Sequence, residues 1–384
     1  MRISKVCAII NLAGQEVKLK PLTDHRPIAA LPFDGRYRII DFMLSSVSQA
    51  NLESVAIFIE ESGRSIYDHI RSGRDWDLDG SLYGGVFTYS HQRRKLADYL
   101  IHQQNESFYE NHMMFTDRAY ADYVVIMEGD AVHNIDLVEV LNWHEQHEGE
   151  ITVAYKKMPL QAAIDAETEA VYVIGDDKSL LDIELMSTVS EENVAVDCGV
   201  YVINRTTLFD IFETAEREGY LVDIGSLVRA NLTKYPVRFY EYEGYLAKIT
   251  SVQAYYDANM SMLRPEIFDS LHKGDNCIVT RSKSGAPTYY GENAVVKNAQ
   301  IATGCIIEGH VENSIISRKT LIEPEAFVGN SVIGAGAKVK RGSRIEYAIL
   351  DKGVVVESGV QIVGTADNPI VISKKAHIQL GDKL

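Results

Sequence analysis

The C-terminal part of the chain contains the stretch IGAGAKVKRGSRI at residues 333–345, where an aliphatic residue returns every six positions. These aliphatics are Ile333, Val339 and Ile345, and the same spacing of six recurs in three further blocks: Ile301 and Ile307; Ile316, Ile322 and Val328; and Val356 and Ile362. Small residues and glycines fill many of the positions between them. One inward aliphatic per six residues is typical of a parallel β-helix, whose short strands stack into a triangular prism. The sequence therefore predicts a β-helix of hexapeptide repeats over residues 288–384.

The first 250 residues have a different pattern, because short apolar runs alternate with amphipathic segments. The predicted strands are Lys5–Leu12, Ser54–Ile59, Tyr123–Met127, Ile151–Tyr155, Val200–Ile203 and Val237–Tyr242, and the predicted helices include Ile40–Ala50 and Asp136–His147. The first strand is apolar throughout, as expected of a strand that is covered on both faces. The alternation predicts a Rossmann-like α/β domain over residues 1–250, with a mainly parallel, mixed sheet and helices on both faces. A helix at Ser251–Leu263 and a connector at Leu271–Pro287 would link the domains over residues 251–287.

Composition narrows the class of protein. Among 384 residues, 54 are acidic and 38 are basic, so the net charge is −16. Such a chain is a poor partner for nucleic acid or an anionic membrane. Its cysteines, Cys7, Cys198, Cys277 and Cys305, are far apart and lie in apolar stretches. This pattern predicts buried free thiols in the cytoplasm rather than disulfides or a zinc site.

Three segments could carry chemistry. The loop LAGQEVKLKPLT at residues 12–23 follows the first strand, at a place where many folds bind phosphate. However, Gly14 is its only glycine, and Glu16 would repel a phosphate there. Glu128-Gly129-Asp130 follows an apolar strand, so Asp130 could hold a divalent metal or cap a helix. The segment Pro32–Phe42 combines two arginines with aspartates, which predicts a buried ion-pair network with or without a function.

The segment Pro32–Phe42, followed by Leu44-Ser45-Ser46, resembles the glucose-1-phosphate adenylyltransferase family. The resemblance extends along the chain through Gly129-Asp130, Gly199-Val200-Tyr201, Asp223-Ile224-Gly225, Gly244-Tyr245 and Tyr255–Met260. It implies a nucleotidyltransferase domain with a left-handed β-helix, tetramers, and magnesium-dependent synthesis of ADP-glucose from ATP and glucose 1-phosphate for glycogen. It also implies candidate site residues: Lys18 and Asp130 for catalysis, and Gly14, Asp197, Gly199, Tyr201 and Asp223 for substrate binding.

The chain departs from the family at the positions that the reaction needs. The family's glycine-rich loop, LAGGxGTRL, is one residue shorter here, keeps only Gly14 and has Lys18 in place of the arginine, which loses the planar fork. The family holds magnesium with two aspartates, of which one matches Asp130 and the other aligns with Lys248. An ammonium about 4 Å from a dication would repel it by several kcal/mol.

Further family features are missing from the sequence. It has no Glu-Lys-Pro triplet for the sugar phosphate and no GTAD-like nucleotide segment near residue 100. Asp197 stands where a serine is expected in the sugar pocket, and Ile28 stands where a lysine is common. Together these losses remove substrate positioning and charge neutralisation, on which nucleotidyl transfer depends.

These departures predict a catalytically degenerate, regulatory paralogue, a pseudoenzyme with little or no activity alone and no cofactor or metal. We expect it to assemble with a catalytic paralogue, as a heterotetramer, with self-association possible. Lys18 and Asp130 would then be vestigial, and Lys248 would pair with Asp130 or Asp197 inside the cleft. Two alternatives are a working adenylyltransferase with a rearranged, magnesium-dependent site, and a β-helix acyltransferase with His310 or His377 as its base.

Overall fold

The computed structural model describes residues 5–13, 17–59, 63–80, 84–90, 107–272 and 276–382. They form an α/β domain followed by a solenoid of short parallel strands. The strands of the α/β domain are β1 (Val6–Asn11), β2 (Pro32–Phe33), β3 (Tyr37–Arg38), β4 (Ser54–Ile59), β5 (Gly85–Ser90), β6 (Tyr123–Glu128), β7 (Ala131–His133), β8 (Ile151–Pro159), β9 (Ala170–Ile174), β10 (Leu180–Leu185), β11 (Asn193–Asn204), β12 (Val237–Glu241) and β13 (Leu246–Lys248).

One mixed sheet organises the α/β domain in the described part of the chain, in the order β10-β9-β11-β6-β1-β4-β5. The strands β5, β4, β1 and β6 run parallel, whereas β11 pairs antiparallel with β6, β8 and β9. All six residues of β1 are buried, because apolar clusters cover both faces of the sheet. The parallel register of β1 and β6 brings Asn11 opposite Glu128 at the carboxyl edge. The predicted α/β architecture is confirmed.

Helices cover the sheet and lead into the solenoid. They are α1 (Ile39–Gln49), α2 (Arg64–Ile70), α3 (Glu110–Arg118), α4 (Leu137–Gln146), α5 (Leu160–Asp165), α6 (Arg205–Glu218), α7 (Ile224–Asn231), α8 (Val252–Ser261) and α9 (Pro265–His272). Helix α4 begins after Asp136, whose side chain accepts hydrogen bonds from two backbone amides of its first turn. Ser251 caps α8, and its side chain accepts a hydrogen bond from the amide of Ala254.

The solenoid confirms the predicted parallel β-helix. Its strands are β14 (Tyr289–Tyr290), β15 (Val295–Ile301), β16 (Ile306–Ile307), β17 (His310–Ile316), β18 (Leu321–Ile322), β19 (Phe327–Gly329), β20 (Val332–Ile333), β21 (Lys338–Val339), β22 (Arg344–Glu346), β23 (Ala348–Leu350), β24 (Val355–Val356), β25 (Gln361–Val363), β26 (Ile370–Ile372) and β27 (His377–Ile378). Successive coils pair in register, so that Ile307, Ile322, Val339 and Val356 form one buried column.

The solenoid packs tightly against the α/β domain. Helix α8 contacts β17 and β20, and Ile315 and Val332 join the same apolar cluster as α1. A buried ion pair crosses the contact, with Arg26 Nη2 at 2.8 Å from Asp351 Oδ2. The two domains therefore share part of one core.

Several local predictions need correction. The predicted helix Ser251–Leu263 spans Val252–Ser261, and α9 reaches into the predicted connector, part of which (residues 273–275) lies outside the described residues. The four cysteines are free thiols as predicted, but Cys277 is exposed rather than buried.

The ion-pair network predicted for Pro32–Phe42 is replaced by buried contacts between carboxylates and histidines. Asp34 contacts His272 and Asp41 contacts His69, rather than the neighbouring arginines. Burial lowers the pKa of His69, so its contact with Asp41 is a hydrogen bond of a neutral imidazole rather than an ion pair. No helix in the described ranges is long and apolar enough to cross a bilayer.

Candidate functional site

A cleft of about 730 Å³ opens at the carboxyl edge of the sheet. Its walls include the ends of β1 and β6, the first turn of α7 and the end of β13. Among the residues singled out from the sequence that line it together are Lys18, Asp130, Asp197, Asp223 and Lys248. The tertiary structure thus brings Lys248 to Asp130, which lies 118 positions earlier in the chain.

Local backbone contacts place Asp130 and Lys248 side by side. Gly129 turns the chain after β6 where a Cβ would lie 2.5 Å from Leu12 Cδ2, so only glycine fits without displacement. The strand β13 pairs with β7 so that Lys248 is opposite Ala131, and the amide of Ile249 donates to the carbonyl of Asp130 at 2.7 Å. The register of this small ribbon therefore fixes the position of Lys248.

Lys248 and Asp130 form an ion pair with 3.0 Å between Nζ and Oδ1. The side chain of Lys248 is 13% exposed and that of Asp130 is 34% exposed. Burial by itself would lower the pKa of Lys248, but Asp130, Glu128 and Asp197 outweigh it and raise that pKa. Burial would likewise raise the pKa of Asp130, yet the ammonium of Lys248 lowers it. Both groups are held in their charged forms, and the predicted pairing of Lys248 with Asp130 is confirmed.

A second ion pair lies in the cleft, and the sequence assigned no role to its members. Arg229 of α7 donates through Nη1 to Glu128 Oε2 at 2.5 Å and to the hydroxyl of Tyr201 at 3.1 Å. Burial raises the pKa of Glu128, and the guanidinium of Arg229 opposes that shift. Gly225 makes room for the carboxylate, because a Cβ there would lie 2.0 Å from Glu128 Oε1. The sequence offered one indication of this pair, because Glu128 ends the largely apolar strand β6 and a buried carboxylate needs a cation nearby.

Asp197 is bound by the protein's own donors. Tyr201 and Tyr172 donate their hydroxyls to Asp197 Oδ2, at 2.5 and 3.0 Å, and the amide of Gly199 donates to Oδ1 at 2.7 Å. Gly199 has a φ of +72° at a bulge in β11, a conformation that favours glycine. Tyr201, one of the candidate substrate-binding residues, is fully buried. Its hydroxyl binds Asp197 of the chain itself.

Asp223 has a structural role, because it connects the start of α7 to the end of β1. Its Oδ1 accepts from the amide of Ser226, which caps α7, and from the side-chain nitrogen of Asn11 at 2.8 Å. These bonds tie the helix start to the end of β1.

Lys18 also lines the cleft and is paired as well. Its ammonium is 2.6 Å from Glu167 Oε2, and 61% of its side chain is exposed. The hydrogen bond from Lys18 lowers the pKa of Glu167. Gly14 and Glu16, and the segment near residue 100 where a nucleotide motif is expected, lie outside the described residues.

Each cation that lines the cleft is paired within the chain, and the lining carries more carboxylates than cations. Within the described ranges its lining contains three cations of lysine or arginine, Lys18, Arg229 and Lys248, and each pairs with a carboxylate of the chain. The residues present do not fit the magnesium site that the resemblance implies, because an ammonium stands 3.0 Å from Asp130 where a second carboxylate is needed. The described residues contain no group of three histidine, cysteine or acidic side chains that could hold a metal.

The two histidines of the acyltransferase alternative lie on the solenoid. His310 contacts Glu312 and the ring of Phe327, and His377 contacts Glu357. Neither lines the cleft.

Comparison with known proteins agrees with this architecture. Residues 7–165 match the family described as "Nucleotidyl transferase", and residues 287–368 match the one described as "GlmU-like, C-terminal hexapeptide". The chain is 29% identical over 375 residues to "Glycogen biosynthesis protein GlgD" of Bacillus subtilis (strain 168), covering 97% of this chain and 96% of that protein. It is 27% identical over 370 residues to "Glucose-1-phosphate adenylyltransferase" of Bacillus thuringiensis (strain Al Hakam), covering 93% of this chain and 94% of that protein. The resemblance inferred from the motifs is confirmed.

Proposed function

We propose that this relative of GlgD and the glucose-1-phosphate adenylyltransferases is a regulatory subunit with little or no activity of its own. In this proposal it assembles with a catalytic paralogue, as a heterotetramer, and modulates ADP-glucose synthesis for glycogen. The similarity to both kinds of protein over nearly the whole chain supports a place in this pathway. The regulatory assignment depends on the chemistry of the cleft.

The observation that carries the proposal is the ion pair of Lys248 with Asp130. Nucleotidyl transfer requires cations that neutralise phosphate charge and hold the reacting groups in line. Here Lys248 neutralises a carboxylate of the protein, and Arg229 and Lys18 do the same with Glu128 and Glu167. An anionic substrate entering the cleft must therefore displace an existing partner from each cation.

The remaining polar groups of the cleft also favour a structural role. Asp197 accepts hydrogen bonds from two tyrosine hydroxyls and one amide, and Asp223 caps a helix. Carboxylates in these positions repel phosphate groups rather than bind them. The chain's own carboxylates thus pair every cation of the cleft, and the excess of carboxylates gives the lining a negative charge that opposes an anionic substrate.

Activity of the purified chain tests the proposal directly. With saturating ATP, glucose 1-phosphate and magnesium, pyrophosphate release should be negligible beside that of a catalytic relative. Co-expression with the catalytic paralogue should give a complex whose mass includes both chains and whose turnover or response to metabolites differs from that of the paralogue alone. A matched variant, Lys248→Asp, should rescue little activity, because the loop and the sugar-phosphate lysine remain absent.

The second candidate is an active adenylyltransferase with a rearranged site. It is favoured by the open volume of the cleft and by the retention of Asp130 and Asp223 at its edge. On this reading magnesium would be required, and turnover of the isolated chain would fall within tenfold of a catalytic relative. That result would replace the regulatory proposal.

A further inference from the structure

A second cavity, of about 260 Å³, opens between α6 and α7. Ser226 and Arg229 of α7 line the cleft described above, whereas Leu227 and Asn231 of the same helix line this cavity. Ala230 borders both. Helix α7 therefore separates the cavity from the cleft, and none of the candidate site residues that the structure describes lines the cavity.

The charged side chains that line this cavity are not used within the chain. Glu218 is the last residue of α6, and Lys234 follows the end of α7. Both are exposed, and neither has an ion-pair partner or a side-chain hydrogen bond among the described residues. The cavity thus contains one unpaired carboxylate and one unpaired ammonium, unlike the cleft, where each described cation is paired.

The cavity also contains acceptors that suit a positively charged donor. Asn231 is 6% exposed, and its Nδ2 donates to the carbonyl of Leu227 at 2.8 Å, while its Oδ1 has no partner among the described residues. The last turns of α6 and α7 both reach the cavity, and the C-terminal end of a helix carries partial negative charge. An unpaired acceptor on a buried side chain, beside two such helix ends, favours an ammonium group.

Groups that suit an anion lie in the same cavity. The ammonium of Lys234 is one of them, and the hydroxyl of Thr214 is another, because it accepts from Arg217 at 3.3 Å and keeps its own proton to donate. Ala215 and Leu227 supply a buried apolar wall. The volume has room for about eight water-sized groups at about 30 Å³ each, which is the size of a small organic molecule.

We propose that this cavity binds a small zwitterion, a molecule with one ammonium and one carboxylate group such as a free amino acid. Glu218 and Asn231 bind the ammonium, and Lys234 and Thr214 bind the carboxylate. An ion with two charges of the same sign is disfavoured, because it brings a like charge to Glu218 or to Lys234. The inference is independent of the proposed regulatory role, since it involves neither the cleft nor a partner chain.

Ligand-observed NMR titrations of the full chain test the proposal with two zwitterions that differ in the distance between their charges. L-alanine is compared with its singly charged analogues ethylamine and propionate, and γ-aminobutyrate is compared with propylamine and butyrate. At least one zwitterion should bind with a dissociation constant of about 1 mM, as expected for so few non-hydrogen atoms. It should bind about tenfold more tightly than either of its analogues, because only the zwitterion satisfies both charged groups.

Removal of one charge at a time tests the two roles separately. Glu218→Gln should abolish the advantage of the zwitterion over its carboxylate analogue, and Lys234→Gln should abolish the advantage over its amine analogue. The matched control is Glu213→Gln, since Glu213 is an exposed residue of α6 outside the cavity lining, and it should change the dissociation constant by less than about twofold. Circular dichroism confirms that the three variants fold.

Three results would overturn the proposal. The first is that neither zwitterion binds more tightly than both of its analogues. The second is that Glu213→Gln weakens binding as much as Glu218→Gln does. The third is that Glu218→Gln and Lys234→Gln leave both advantages of the zwitterion unchanged, which would place its binding site elsewhere.

Discussion

Replacing Lys248 by alanine should destabilise the chain, because Asp130 would remain in the cleft beside Glu128 and Asp197 without its cation. At 3.0 Å and an effective dielectric of about 20, the attraction within the pair is about 5 kcal/mol before desolvation is subtracted. Stranding one member of a buried pair costs about 3–5 kcal/mol. Since a third of the Asp130 side chain is exposed, water screens part of this, and we expect a loss of about 2 kcal/mol.

The loss should be visible in thermal and urea unfolding at neutral pH. The unfolding entropy expected for 384 residues converts it into a decrease of about 2–3 °C in Tm. The matched control is Lys5→Ala, which breaks the exposed pair of Lys5 with Asp122 and should cost less than about 0.5 kcal/mol. Adding Asp130→Asn to Lys248→Ala should recover part of the stability, because the stranded charge is then removed.

The dependence on pH gives a second readout. The folded protein lowers the pKa of Asp130, so that its contribution is present above the ordinary carboxyl value of about 3.9 and is lost as the pH falls through the lowered value. It raises the pKa of Lys248, so that the contribution of that residue is present below about 10.4 and is lost as the pH rises through the raised value. The difference between the wild type and Lys248→Ala should be constant from about pH 5 to pH 9 and shrink in acid. A Lys248→Ala chain as stable as the Lys5→Ala control, or no recovery in the double variant, would refute this reasoning.

Three further outcomes follow from the same contacts. Millimolar magnesium should leave the Tm of the wild type unchanged in differential scanning fluorimetry, because the ammonium of Lys248 already pairs with Asp130, and a clear rise would contradict this expectation. Burial, with Lys248 nearby, lowers the pKa of His133 to about 4, and both of its ring nitrogens lack a hydrogen-bond partner. Below about pH 6.5 the unfolded chain therefore binds a proton that the folded chain does not. Between pH 6.5 and 4 the free energy of unfolding of the wild type, measured in urea, should fall by about 3 kcal/mol relative to that of His133→Leu. Parallel pH curves for the two chains would show that His133 is not responsible. Arg26→Ala should lower the free energy of unfolding in urea by about 3 kcal/mol, because it leaves the buried Asp351 between the domains without its cation. The double variant Arg26→Met with Asp351→Leu should lose less, because it removes both charges. Equal losses would argue against a stranded charge.

The features that the sequence predicted well depend on neighbours along the chain. The aliphatic period of six specifies the solenoid because each coil repeats the same local pattern, so Ile322, Val339 and Val356 fall into one buried column. The strand Ser54–Ile59 agrees with its predicted bounds because a short, continuous apolar run is itself the signal. The pairing of Lys248 with Asp130 or Asp197 was also predicted, and the structure shows Lys248 paired with Asp130.

The partners of the charged side chains were decided only by the tertiary structure. Arg229 and Glu128 are separated by 101 positions, and their meeting depends on where α7 packs against β6 and on the missing Cβ of Gly225. The arginines near Asp34 and Asp41 suggested ion pairs with neighbours in sequence, but the fold brings His272 and His69 to these carboxylates instead. Cys277 is exposed although the apolar Ile278 and Val279 follow it, because exposure depends on which distant segments pack against a residue. Hydrophobic periodicity is a property of neighbouring residues and can be seen in the sequence. The pairing of buried charges depends on contacts that form only when distant segments pack together.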